Sequence, residues 1–218
     1  MRWLQRAAAF LAAVNLILTT AVFSPALAQQ RNGPALIRDA EIEGLLRNFS
    51  RPIFKAAGIN AGAVKVYVIA DDSINAFVAG GQRIFINTGL LMKSKSPNEV
   101  IGVLAHESGH IAGGHLARMG IELDRASAAA IIGGLLGAAA MVGGAMSGSK
   151  GAAQAGQGVM LGSQSIVQRS VLSYARAMEA SADQAALKYL NATHQSARGM
   201  LDLFQRLADE SIASASHT

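Results

Sequence analysis

The sequence predicts an α+β fold, mainly α, in which a small β-sheet precedes one well-started central helix. Three observations carry that expectation. β-Branched residues crowd the stretch 63–87 around a Gly80-Gly81 pair. Ser96-Pro97-Asn98-Glu99 opens an apolar run at helical spacing. The segment from Tyr174 to Leu190 is rich in strong helix formers and contains no breaker.

The chain has 218 residues and no cysteine, so no disulfide can form. Arg2 and Arg6 begin it, an apolar run follows from Ala7 to Phe23 with Asn15 inside it, and Ser24-Pro25 leads to Ala26-Leu27-Ala28. That order is a secretory signal peptide over residues 1–28, with a retained membrane anchor as the alternative. The cleavage site carries no cysteine, which excludes a lipoprotein anchor, and the signal peptide predicts an exported protein, with the periplasm as its expected compartment. Residues 29–218 then form one domain. Without Arg2 and Arg6 the chain keeps 17 Lys+Arg against 14 Asp+Glu, a balance of +3. Its cations are not clustered or interleaved with aromatics, so nothing points to nucleic acid.

Ile37 to Phe54 reads as an amphipathic helix, with Ile37, Ile42, Leu45, Leu46 and Phe49 among charged residues, ending near Pro52. Residues 63–70 read as a strand and Asp71-Asp72-Ser73 as a turn. Asn75–Ala79 and Arg83–Asn87 read as two strands of a hairpin around Gly80-Gly81. The sheet therefore precedes the helix, and one strand of 74–87 is expected to pair with an extended substrate backbone.

The Ser96–Glu99 signal has the form of a capping box, with Pro97 at the first helical position. Val100, Val103, Leu104 and Ile111 continue it at helical spacing. Within this helix lies His106-Glu107-Ser108-Gly109-His110, an H-E-x-x-H pattern. Residues four apart share a helix face, so both histidines can offer a nitrogen to one metal ion. Glu107 sits beside the first and can reach a metal-bound water as general base. The bland alternative is a pair of satisfied core histidines, but a charged Glu107 on so apolar a helix needs a partner or a task.

A catalytic zinc takes three protein ligands. His115 is the nearest candidate, but it follows His110 by five residues, one short of the spacing that places a third histidine after a glycine turn. The second candidate is Glu179, four residues before Asp183 on the 174–190 helix. Glu179 would bind the metal while Asp183 orients one of the histidines. On spacing alone, a solvated acidic pair on a surface helix is an equal reading.

H-E-S-G-H followed by Y-A-R-A-M-E-A-S-A-D resembles the gluzincin metallopeptidases of the HtpX/CAAX-prenyl-protease-like family, and within it the periplasmic BepA-like branch. Tyr174, Arg176, Glu179, Ala182 and Asp183 match that family's second motif, while Ala175 and Ser181 depart from it. Asn75-Ala76-Phe77 through Gly80 resembles its N-A-F-x-x-G segment. The resemblance covers roughly residues 38–210. It implies a zincin-like metallopeptidase domain with His106, His110 and Glu179 as zinc ligands and Glu107 as catalytic base. Arg176, Tyr174 and Asn75, with Asp183, become candidates to neighbour the oxyanion or the substrate. The implied function is an exported zinc metalloendopeptidase acting on unfolded or misassembled envelope proteins. The rival is a non-catalytic chaperone or assembly factor that keeps the fold.

Ser127 to Met146 carries no charge, and Gly148 to Gly162 is rich in Gly, Ala, Gln and Ser. The simplest expectation is a buried helix followed by a flexible connection. The sharper ones are a lid over the site or a membrane-surface contact through 127–146. His194 belongs to an interhelical loop, Met200–Leu207 to a last amphipathic helix, and His217 to a terminus where the resembled proteins usually continue.

Overall fold

The computed structural model describes residues 35–215. The expected signal peptide and His217 lie outside the described residues. Four strands, β1 (Leu36–Ile37), β2 (Lys65–Ile69), β3 (Ala76–Ala79) and β4 (Arg83–Asn87), form one sheet in the order β1-β2-β4-β3. The β2–β4 pair is parallel and the other two pairs are antiparallel, so β3 is an edge strand. Among the described residues six helices accompany it: α1 (Ala40–Ala56), α2 (Thr88–Lys93), α3 (Pro97–Gly113), α4 (His115–Met146), α5 (Lys150–Ala192) and α6 (Arg198–Ala215). The fold is mainly helical with a small mixed sheet ahead of the H-E-x-x-H helix, as the sequence predicts.

The first helix differs from its expectation at both ends. Ile37 pairs with Val68 in β1, and α1 starts only after Asp39, whose carboxylate accepts from the Glu41 and Ile42 amides at 2.9 and 3.0 Å. At the other end α1 runs through Pro52 to Ala56. A proline inside a helix costs about 3 kcal/mol. Ile53 and Phe54, both buried, lie just beyond it, and each contributes about 1.5–3 kcal/mol on burial, enough to carry the helix past the break.

Helix α3 is the centre of the domain. Val100, Val103 and Leu104 pack with Val68, Ile84 and Ile86 of the sheet and Leu46 and Phe54 of α1. On its other side Ile101 and Ala105 pack with Ala186, Tyr189 and Leu190 of α5 and Met200 of α6. Burial on both sides explains its near-continuous apolar sequence.

The capping box forms only in part. Ser96 is the N-cap residue, but its side chain makes no cap hydrogen bond. Glu99 is drawn instead to Arg206 of α6, which donates to both carboxylate oxygens at 2.8 Å, and to the Lys95 amide at 3.0 Å. The bidentate partner outcompetes the cap. The same Arg206 bonds hold the Glu99 carboxyl below its ordinary value. A lowered carboxylate pKa adds stability that is present above the unfolded-state value, near 4.5, and lost as pH falls through the folded value. Glu99→Gln is therefore expected to lower unfolding stability by about 1–3 kcal/mol at pH 7. In urea melts at decreasing pH the gap to wild type should close below pH 4.5; a gap independent of pH would contradict the pairing.

Two expectations about 127–162 are corrected. Residues 127–146 are helical but mostly exposed, and 148–162 is not a flexible connection: α5 begins at Lys150, capped by Ser149, and runs unbroken. The Ala, Gln, Met and Leu of this stretch are strong helix formers and outweigh its glycines, which cost about 1 kcal/mol each relative to Ala. Helix α6 also extends past Leu207, and His194 sits in the loop before it at φ 55.

Candidate metal centre

Helix α3 places His106 and His110 one turn apart on the face turned toward α5, and α5 answers with Glu179 and Asp183. The close approach of the two helices needs Gly109. A Cβ there would lie 2.8 Å from the Ala182 carbonyl oxygen, so any larger residue would push α5 away from the histidines.

Three donor atoms converge. His106 Nε2 lies 3.1 Å from His110 Nε2 and 3.3 Å from Glu179 Oε2, and His110 Nε2 lies 3.6 Å from the same oxygen. Ligands at roughly 2.0–2.2 Å from one tetrahedral ion stand about 3.3–3.5 Å from each other. The three distances therefore fit a small tetrahedral cation. The hydrogen bonding fits too. Asp183 Oδ1 accepts from His106 Nδ1 at 2.8 Å, and this bond selects the tautomer of the neutral ring whose Nε2 keeps its lone pair. Burial lowers the pKa of His110, with the neighbouring His106 adding to it, which favours the neutral, ligating imidazole.

His115 is not among the converging donors. Gly114 closes α3 in the left-handed conformation, and the chain turns so that His115 Nδ1 meets His110 Nδ1 at 3.1 Å. The two histidines are thus linked through the nitrogen that faces away from Glu179. The H-I-A-G-G-H spacing held this contact, but sequence reasoning weighed His115 only as a ligand. Phe204 of α6, also missed, stands edge-on to the His106 ring with centroids 5.4 Å apart.

Glu107, the next residue along α3 after His106, is buried. Burial, reinforced by the Glu179 charge, pushes its carboxyl up to about 7, while a backbone hydrogen bond from Val78 pulls it down. Val78 belongs to the edge strand. The Asn87 amide donates to the Asn75 carbonyl, so the strand's period of two turns the backbone groups of Ala76 and Val78 outward, away from β4. A cleft of about 300 Å³ lies along this edge, lined by Asn75, Ala76, His106, Glu107, Glu179 and Phe204 among others. Asn75 and Asp183 therefore border the cleft. Tyr174 lies instead between α4 and α5 beside Glu122 and Arg125, and Arg176 is exposed on α5. A larger hollow of about 590 Å³ near α1 is lined by Arg38, Arg47, Arg51 and Lys65 with Glu43 as its one carboxylate, a mainly cationic set unsuited to a metal ion.

A mainly helical α+β domain with two histidines and a glutamate converging beside a buried H-E-x-x-H carboxyl defines a metallopeptidase. The chain belongs to peptidase family M48, whose model matches residues 38–217. It is 29% identical over 183 residues to a putative beta-barrel assembly-enhancing protease of Vibrio cholerae, covering 83% of this chain and 36% of that one. It is 27% identical over 187 residues to a beta-barrel assembly-enhancing protease of Yersinia pestis, covering 84% and 36%. Over 83 residues it is 39% identical to protease HtpX of Salmonella arizonae, covering 36% and 27%. The chain thus spans about a third of the length of the beta-barrel assembly-enhancing relatives.

Proposed function

We propose that this protein is an exported zinc metalloendopeptidase in which His106, His110 and Glu179 hold the ion and Glu107 is the general base. The observation that carries the reading is the convergence of His106 Nε2, His110 Nε2 and Glu179 Oε2 at 3.1–3.6 Å. A His/His/Glu set with no thiolate suits zinc, which supplies Lewis acidity toward water and carbonyl oxygen. Glu107 would take the proton of the attacking water on its carboxylate and pass it to the departing amine. Asp183 and His115 keep the two imidazoles oriented through their Nδ1 atoms. Residues 1–28 act as the export signal and 29–218 as one peptidase domain in the periplasm. The relatives named for β-barrel assembly support unfolded or misassembled envelope proteins as substrates. Casein or an unfolded outer-membrane protein should be cleaved, cleavage should stop with chelator, and zinc should restore it. A chelator-resistant activity would sink the zinc reading.

Substrate is placed by the outer edge of β3, where the outward backbone groups of Ala76 can pair with an extended chain. Ala76→Pro removes one outward N–H without touching the β3–β4 ladder. Its loss is worth about 0.5–1.5 kcal/mol, so kcat/KM should fall about two- to tenfold with zinc content unchanged. Unaltered cleavage would rule this edge out.

A further inference from the structure

The antiparallel pair α4–α5 is built inside out. Between residues 127 and 168, where side chains are described, the fully buried positions are Gly133, Gly137, Gly144 and Gly156. A Cβ on Gly137 would lie 2.7 Å from the Gly156 carbonyl oxygen, and one on Gly133 would lie 2.5 Å from the Ser163 side chain. Small residues thus form the helix–helix contact. The large apolar ones point away from it: Leu135 is 67% exposed, Leu136 61% and Ile166 69%, with Ile131, Ile132, Val142 and Leu161 similarly open. A water-soluble hairpin does the reverse and buries its leucines between the helices. Glycine at the contact and leucine outside is how helices pack where the surroundings are themselves apolar.

Length and charge say what those surroundings are. Ser127 to Met146 is uncharged and rises about 30 Å at 1.5 Å per residue. That equals the hydrocarbon thickness of a bilayer, about 30 Å. On the return arm residues 151–168 are uncharged as well, about 27 Å of helix. Charge is confined to the ends: Lys150 at the turn, and Asp124, Arg125 and Arg169 at the base. The most apolar 18-residue window within His115–Gly144 has a mean hydropathy of 1.8 and only 11% of it is buried, so the domain core does not account for its apolar character. A protein partner would cover one face. At 100° per residue, however, Leu161 lies about 200° around α5 from Val159, and both are exposed. Apolar side chains that radiate in several directions fit a fluid apolar solvent rather than a groove.

We propose that residues 127–168 of the α4–α5 hairpin insert into a lipid bilayer, with Arg125 and Arg169 at the near headgroups and Lys150 at the far ones. Helix α5 would then run from the membrane into the candidate metal centre. Glu179 lies ten residues past Arg169, about 15 Å of helix, so the cleft would be held close to the bilayer surface. On the peptidase reading above, its substrates would be polypeptide segments emerging at that surface. The insertion itself does not depend on that reading.

The cysteine-free chain allows a direct test. Single cysteines at Leu135, Leu161 and, as a control on α6, the exposed Leu201 are labelled with a nitrobenzoxadiazole dye in the full chain. Vesicles of phosphatidylethanolamine and phosphatidylglycerol are then added. The labels at 135 and 161 should shift to the blue and lose quenching by aqueous dithionite, while the label at 201 stays open. Because the readout is local, residues 1–28 cannot produce it. Adding Ile132→Lys and Leu136→Lys should abolish the shift at 161 with helix content unchanged by circular dichroism. Labels at 135 and 161 that stay as accessible as 201 would overturn the proposal. So would protection without vesicles that grows with protein concentration, which would assign the face to a second copy, or a shift that survives the two lysines.

Discussion

Glu107→Gln is expected to lower kcat for peptide cleavage by roughly 10²- to 10⁴-fold, the usual worth of a positioned general base. Glutamine has the same shape and fills the same buried space, but its amide cannot take a proton from the attacking water. The three converging donors are untouched, so zinc content and KM should stay near wild type. Burial already opposes the charge on Glu107, and removing that charge should leave the metal-free protein at least as stable as before. Quantified cleavage of a fluorogenic casein, read beside the zinc content of both proteins, separates the possibilities. Full activity in the variant would remove Glu107 from the chemistry. Lost activity with lost zinc would mean that the residue serves the site's structure instead.

What the sequence disclosed, and what it hid, divides along physical lines. His106 and His110 were legible because one helix period brings them together whatever surrounds the helix. The sheet was legible because β-branched alternation and a Gly-Gly turn are local signals. Glu179 was only half legible: its spacing to Asp183 defined a shared face, but only the packing of α5 on Gly109 decides what that face meets. The His115–His110 contact depends on the direction in which Gly114 releases the chain, which no periodicity encodes. Glu99 abandoned the expected cap because Arg206, 107 residues away in sequence, offers two charge-assisted bonds. The hairpin was misread as buried because an apolar helix announces that it needs apolar surroundings without saying which ones.

Loss of zinc binding is the expected result of Glu179→Ala, with Asp183→Ala weaker and Asp183→Asn weaker still. Glu179 supplies one of three donors, and two histidines on a single helix leave an ion open on its other sides. Asp183 is not one of the three converging donors. It holds the Nδ1 proton of His106, and loss of such an outer partner typically costs about 10–100-fold in metal affinity. Asparagine can still accept that proton's hydrogen bond through its carbonyl oxygen but brings no charge, so it should retain part of the affinity that alanine loses. Thermal melts report this without any activity assay. Free zinc at about 100 times the Kd should stabilise wild type by about 2.7 kcal/mol, roughly 5–10 °C for a chain of this size. Glu179→Ala should show no such shift at the same free zinc. The Glu179 side chain is 60% exposed, so its truncation should leave the metal-free melting point nearly unchanged. That separates a missing ligand from a damaged fold. A wild-type-sized zinc shift in Glu179→Ala would place the third ligand elsewhere and dissolve the His106–His110–Glu179 set.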